Sequence, residues 1–262
     1  MAHIWSTILY SKPETKVSID SSRYIDVVIP VYNEGENILK LLDAFDREVQ
    51  TPIRLFICYD REEDTTLVAL QNIKTRFEIV LVKNEGRFAH GAVMTGFHYS
   101  TAPAVISYMA DDDYNAGLID QMVALFWRGN DIVCASRFVP GGSMVGCRWQ
   151  KAFLVRAVAF SLHFFGRLPI HDPTNAFRLI SRRLLDQVRV ESTEGFTYSI
   201  ELLAKCHRLS LKMTEIPAKW FERGKGSGRF RVFKWAPAYL RWYFYIFATT
   251  YLCRKSVPVL SQ

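Results

Sequence analysis

Five short apolar runs, each rich in β-branched residues, decide what the first half of this chain can become. The first four are each followed by a polar turn and then by apolar residues at helical spacing. Asp26 to Tyr32 (DVVIPVY) leads through NEGEN to Ile38, Leu41, Leu42, Phe45 and Val49. Ile53 to Tyr59 (IRLFICY) leads through Asp60 and REEDTT to Leu67, Leu70 and Ile73. Ile79 to Val82 precedes KNEGRFAHG and a helical stretch over 92–100. Residues 105–110 precede one from Leu118 to Trp127, and 131–136 (DIVCAS) is the fifth run. Apolar residues three and four apart line one face of a helix, whereas unbroken apolar runs of this length suit strands covered on both faces. Their alternation predicts an α/β fold: a mostly parallel, Rossmann-like sheet with helices on both sides.

Open sheets of this kind bind ligands beyond the carboxyl ends of their strands. Asn33, Glu34, Asp60, Gly86, Arg87, Asp111, Asp113 and Arg137 all fall there in this reading. Asp60 taken alone suits a helix cap, but it shares an edge with an acidic cluster, which points to a ligand contact. That cluster lies in Val105 to Gly117 (VISYMADDDYNAG), an apolar run ending in three consecutive carboxylates. Adjacent carboxylates repel one another unless a cation holds them. Alternate side chains of a strand share a face, so Asp111 and Asp113 are expected to converge on one hard divalent ion while Asp112 points elsewhere. Asn115 offers a further oxygen. Mg²⁺ or Mn²⁺ suits such oxygens and commonly binds through one or two carboxylates plus substrate phosphates. The competing reading is a solvated turn or a helix N-terminus, where acidic residues are favoured by the helix dipole.

With 262 residues, 49% of them hydrophobic, the chain can bury a large core, and disorder is excluded as its main state. The five cysteines are dispersed with no CxxC pair, and Cys58 and Cys134 stand in apolar runs, so a reducing, cytosol-facing location is expected. No signal peptide is expected at the N-terminus. The net charge of +7 is concentrated late, with twelve Lys or Arg against two acids from Leu203 onward. A basic block of this kind suits nucleic acid or an anionic membrane surface. Trp235 to Cys253 (WAPAYLRWYFYIFATTYLC) is dense in aromatics, contains Pro237 and holds one charge, Arg241. It is short for a membrane span and fits a helix lying in the interface, peripheral or monotopic. The segment 153–165 (FLVRAVAFSLHFF) reads as a second membrane contact or as a core helix. The expected organisation is a loose arm over 1–22, a catalytic domain over 23–233 and a membrane-interface tail over 234–262.

Six stretches, in order, carry a resemblance: VVIPVYNEGENI, Asp60 after the second run, DDD, ASRFVPGGS (135–143), HDPTNAFRLISR (171–182) and EIPAKWFERGKGSGRF (215–230). Together they resemble family 2 glycosyltransferases of the GT-A fold, in particular the dolichol-phosphate mannose synthase and polyprenyl-phosphate glycosyltransferase branch. The resemblance implies that Pro30, Tyr32, Asn33 and Glu34 form the first nucleotide-binding loop and that Asp60 meets the base. It implies a Mg²⁺ or Mn²⁺ ion on Asp111 and Asp113, with Asn115 as a third oxygen ligand. Arg137 would face the sugar diphosphate or the acceptor phosphate, and Asp172, beside Arg178 in the same motif, would be an acidic active-site residue. Arg223 and Arg229 would contact phosphate from a Gly-rich closing loop. Asp113, Arg137 and Asp172 are thus the expected catalytic residues.

The implied activity is inverting, metal-dependent transfer of a sugar from a GDP- or UDP-sugar to a polyprenyl phosphate or other lipid-linked acceptor. That makes a nucleotide-sugar, a lipid phosphate and a membrane surface the expected partners, and nucleic acid not one. A soluble or saccharide acceptor, or nucleotide-sugar binding without turnover, are the alternatives, and oligomeric state is left open. Three stretches depart from the family pattern. Lys151 stands where arginine is usual and lacks its bidentate fork. Gly228 and Arg229 replace serine and lysine, and CYDREEDTT keeps one aspartate of a usual pair.

Overall fold

The computed structural model describes residues 24–222 and 232–252. The first half runs β1 (Ile25–Val31), α1 (Gly35–Glu48), β2 (Ile53–Tyr59), α2 (Thr65–Leu70), β3 (Glu78–Lys83), α3 (Phe88–Tyr99), β4 (Ala104–Ser107) and α4 (Leu118–Trp127). It continues through β5 (Ile132–Ser136), β6 (Ser143–Val145), α5 (Trp149–Phe164), β7 (Arg178–Ser181), α6 (Arg182–Leu185), α7 (Thr197–Arg208), β8 (Met213–Pro217), β9 (Lys219–Phe221) and α8 (Val232–Leu252). Seven strands form one sheet in the order β3-β2-β1-β4-β7-β5-β8, and β6 pairs with β9 in a small second sheet. All neighbours in the large sheet are parallel except β7, which runs antiparallel to both β4 and β5. The expected α/β fold is present, and its antiparallel strand comes from the HDPTNAFRLISR segment.

The strand side chains divide by alternation between two cores. Val27, Ile29 and Val31 of β1 meet Ile38, Leu41, Leu42 and Phe45 of α1 on one face. Val28 and Cys58 meet Val93 and Phe97 of α3 on the other. Gly96 sets how closely α3 lies on β1, since a Cβ there would come 2.4 Å from Val28 Cγ1. Cys58 and Cys134 are fully buried and serve as small hydrophobes; burial pushes both thiols up to about 12.

The C-terminal helix is present, and it is a wall of the domain. Trp242 and Ile246 are buried in the second core with Leu202, Leu203 and Cys206 of α7. A buried ion cluster pins α8 in place. Lys205, 1% exposed, lies 2.9 Å from Glu191 and 2.6 Å from Glu201, sits 5.0 Å from the Trp242 ring, and Glu191 also pairs with Arg241. The boundary drawn from sequence at 233/234 therefore falls inside a helix whose inner residues complete the core. Hydropathy counts aromatic residues without showing which of them face inward. Among the described residues, no helix is long and apolar enough to cross a membrane. Trp242→Ala should cost about 3–5 kcal/mol through the cavity it leaves, read as a shift in denaturation midpoint. An unchanged midpoint would contradict the packing of α8.

Candidate active site

At the carboxyl edge of the sheet, the β1–β4 ladder ends at the Val28–Ser107 pair while β1 continues to Val31. Tyr108 N still donates to Val28 O at 2.9 Å, and the next parallel rung would need the N–H that Pro30 lacks, so the β4 side of the ladder stops there. The loop after β1 is bound to the loop after β2. Asn33, in a left-handed conformation (φ 55°), donates its backbone N–H to both oxygens of Asp64 at 3.0 Å, and its side-chain oxygen accepts from Thr65 N at 3.2 Å. Glu34 N donates to Thr66 Oγ1 at 2.9 Å, and Asp64 also caps α2 through Thr66 N at 2.8 Å. Sequence reasoning passed over Asp64, although an acid before Thr-Thr and an apolar run is an N-cap signal. Asp60 follows β2 and accepts from Asn84 Nδ2, while Asn84 Oδ1 accepts from Gly86 N at 2.8 Å. Tyr32, 39% exposed, stands at the rim.

The aspartates stand elsewhere than expected. The strand ends at Ser107 rather than at 110, and a bond from Asp112 N to Met109 O at 3.2 Å closes a turn that carries Asp111, Asp112 and Asp113. Strand alternation therefore does not set their directions; the turn does. Tyr108, fully buried, donates its hydroxyl to Asp112 O at 2.7 Å and so braces the turn from below. Asp112 is turned inward, where its carboxylate accepts from Asn115 Nδ2 at 2.7 and 2.8 Å. Burial pushes its pKa up to about 6, against the Asn115 hydrogen bond and with help from the Asp111 charge. Asn115 has both ends of its carboxamide in hydrogen bonds. Its Oδ1, the expected metal ligand, accepts from Lys219 N at 3.1 Å, and its Nδ2 also donates to Lys219 O at 2.9 Å. Asp111 and Asp113 remain half-buried on the turn. Two carboxylates fit a hard cation that takes its other ligands from phosphate and water. Among the described residues no group of three or more His, Cys, Asp or Glu forms a protein-only cage.

Arg137 and Asp172 are brought together as a pair. Arg137 follows β5 and Asp172 precedes β7; Nε donates to Oδ2 at 2.7 Å and Nη2 to Oδ1 at 2.8 Å, with the Arg137 backbone N–H on Oδ2 at 3.0 Å. Arg137 Nη2 also reaches Thr174 Oγ1, and Nη1 lies 3.8 Å from Met144 Sδ. Burial alone would raise the Asp172 pKa, but the Arg137 hydrogen bonds and charge, with the Arg178 charge, hold it below the ordinary carboxylate range. Asp172 is thus an ionised anchor for Arg137. Arg178 is 1% exposed and donates to the carbonyls of Pro173 and Ser199, which places it in the core beneath this loop. Lys151 pairs with Glu222 at 3.1 Å. Arg223 and Arg229 lie outside the described residues.

The carboxyl edge of the sheet thus brings together a turn with two carboxylates, Asp111 and Asp113, and an arginine fixed by a buried aspartate. The glycosyl transferase family 2 model matches residues 26–189. The chain belongs to that family and is a glycosyltransferase. It is 24% identical over 215 residues to the dolichol-phosphate mannosyltransferase of Pyrococcus furiosus, covering 79% of this chain and 59% of that one. To the polyprenol monophosphomannose synthase of Mycolicibacterium smegmatis it is 21% identical over 211 residues, covering 78% and 79%. The chain thus spans less than two thirds of the archaeal relative and more of the mycobacterial one. Its fold is shared with glucosyl-3-phosphoglycerate synthase from Mycobacterium tuberculosis, solved with Mn²⁺, uridine diphosphate and phosphoglyceric acid. The TM-score is 0.61 at 17% identity, over 90% of this chain and 80% of that one.

Proposed function

We propose that the protein is a metal-dependent, inverting glycosyltransferase that moves one sugar from a GDP- or UDP-sugar to a polyprenyl phosphate or similar lipid-linked acceptor at a membrane surface. The observation that carries the lipid acceptor is an aromatic face on α5. Trp149, Phe153, Phe160 and Phe164 are 74%, 71%, 55% and 59% exposed and recur at spacings of four, seven and four along one side of the helix. Exposed aromatics in such a stripe are informative where scattered ones are not. α5 contains no acid, and Arg148, Arg156 and Arg167 are exposed on or beside it. Tyr251 of α8 donates to Phe165 O at 2.7 Å, which brings exposed Tyr251 and Leu252 to the same end of the patch. At the other end Lys151 pairs with Glu222, next to the site. Apolar area with basic flanks binds an anionic interface. The names of the two relatives, which act on dolichol phosphate and polyprenol monophosphate chemistry, support the same class of acceptor.

A divalent ion on Asp111 and Asp113 would neutralise the diphosphate as it leaves. The chain's own residues hold the surroundings in place. The Asn33–Asp64 and Asp60–Asn84 bonds fix the donor-side loops, and Asp172 fixes Arg137 with its Nη1 edge out of the pair. A phosphate acceptor is already an anion at neutral pH, so the reaction needs no strong base, and a salt-bridged Asp172 is a poor one. Screening GDP- and UDP-sugars for Mn²⁺-dependent transfer to polyprenyl phosphate tests the reading. Phe153→Ser/Phe160→Ser/Phe164→Ser should lower binding to anionic vesicles by roughly tenfold or more through lost buried apolar area, with little change in thermal stability. Vesicle binding equal to wild type would remove the membrane face.

A further inference from the structure

Asn115 is 5% exposed, and both ends of its carboxamide are in use. Its two bonds to the N–H and C=O of Lys219 imitate one rung of a β ladder. The same strand connection is gripped from the other side. Ala218 N donates to Ser136 O at 2.8 Å, and Ser143 N donates to Ala218 O at 3.0 Å. Ser136 immediately precedes Arg137. A continuous relay therefore runs from the aspartate turn through Asn115, Lys219 and Ala218 to the residue that carries Arg137. The Tyr114 ring lies 4.7 Å from that of Phe221 and adds a second contact between turn and β9.

We propose that Asn115 is a positioning residue and not a metal ligand: its carboxamide sets the spacing between the carboxylate pair Asp111 and Asp113 and the Arg137–Asp172 pair. This rests on the metal-dependent transfer reading above. Turning Oδ1 toward a cation would strip the Lys219 N–H of its partner and take both donated bonds from the Asp112 carboxylate and the Lys219 carbonyl. The buried Asn115 carboxamide would then lose bonds at both of its ends, and leaving such a group unpaired costs more than the bond itself is worth. A hard cation has water and phosphate oxygens to take instead. The relay couples two parts of the site that come from different strands, and an error of an ångström in such spacing costs rate.

The test follows the Lys219 amide by hydrogen exchange in the wild-type protein with and without Mn²⁺, and Mn²⁺ affinity by electron paramagnetic resonance. Mn²⁺ should leave the wild-type Lys219 amide protected. Asn115→Ser should speed its exchange about tenfold or more and keep Mn²⁺ affinity, whereas Asp113→Asn should keep the protection and lose the affinity. With the donor identified by the screen, Asn115→Ser should lower kcat about tenfold with donor KM nearly unchanged, the split expected of a residue acting on geometry. Release of the Lys219 amide by Mn²⁺ in the wild type overturns the proposal without any variant. So does loss of Mn²⁺ affinity in Asn115→Ser equal to that in Asp113→Asn. If the wild type binds no Mn²⁺, the metal reading fails by itself. The exchange comparison still decides on Asn115, since unchanged exchange in Asn115→Ser overturns its positioning role.

Discussion

Asp111→Asn and Asp113→Asn should each lower sugar transfer by about a thousandfold or more, equivalent to roughly 4 kcal/mol of transition-state stabilisation. Asp112→Asn should stay within about tenfold of wild type, a small loss by the same arithmetic. The contrast has a structural origin. Asp112 is turned inward onto Asn115, and an asparagine there keeps one acceptor oxygen for the Asn115 amide. In the proposed mechanism Asp111 and Asp113 hold the cation, so neutralising either removes half of the charge that holds it. Steady-state transfer rates at saturating Mn²⁺ give the result, and equal losses at all three positions would sink the assignment. Added EDTA should stop the reaction and Mn²⁺ or Mg²⁺ restore it, because an ion held by two protein carboxylates exchanges readily.

Arg137→Ala should cost about 3–5 kcal/mol of stability, the range for removing one partner of a buried ion pair, and transfer should fall with it. Asp172 is fully buried and Arg137 only 10% exposed, so the carboxylate left behind has no water to replace its partner. The pH dependence has a defined sign. Asp172 titrates below its ordinary range in the folded protein, so it stabilises the fold above the unfolded carboxylate range and that contribution is lost as pH falls through the folded value. Asp172→Asn should therefore destabilise the protein at neutral pH and flatten the acid limb of its stability curve below about pH 4. A variant with wild-type stability at pH 7 would show that the pair contributes nothing.

Much of the fold was legible because parallel strands buried on both faces leave continuous apolar runs. β2 and α4 match the sequence reading end to end, and β1 is shifted by one residue at each end. β4 was overextended because Tyr108 and Ala110 are as buried as strand residues while lying in a turn. Composition does not separate a buried turn from a strand. The role of Asn115 was out of reach, since it depends on Lys219, 104 residues away. The pairing of Arg137 with Asp172 was hidden for the same reason. Both residues were found by resemblance, yet only the antiparallel insertion of β7 beside β5 shows that they hold each other. On α8 the aromatics divide between core and surface. Trp242 is buried and Phe244 is 62% exposed, a distinction carried by α7 and α5 rather than by hydropathy.

The central claim is transfer to a lipid phosphate, and a competition assay measures it directly. Full-length protein with Mn²⁺ and the donor found by the screen would be given polyprenyl phosphate in anionic vesicles and phosphoglyceric acid in solution together, and the labelled products separated by extraction. The account predicts that the sugar appears on the polyprenyl phosphate, and that the lipid product is lost in the Asp113→Asn protein and reduced in the α5 triple variant. Label found on phosphoglyceric acid, with none in the lipid phase, would contradict it.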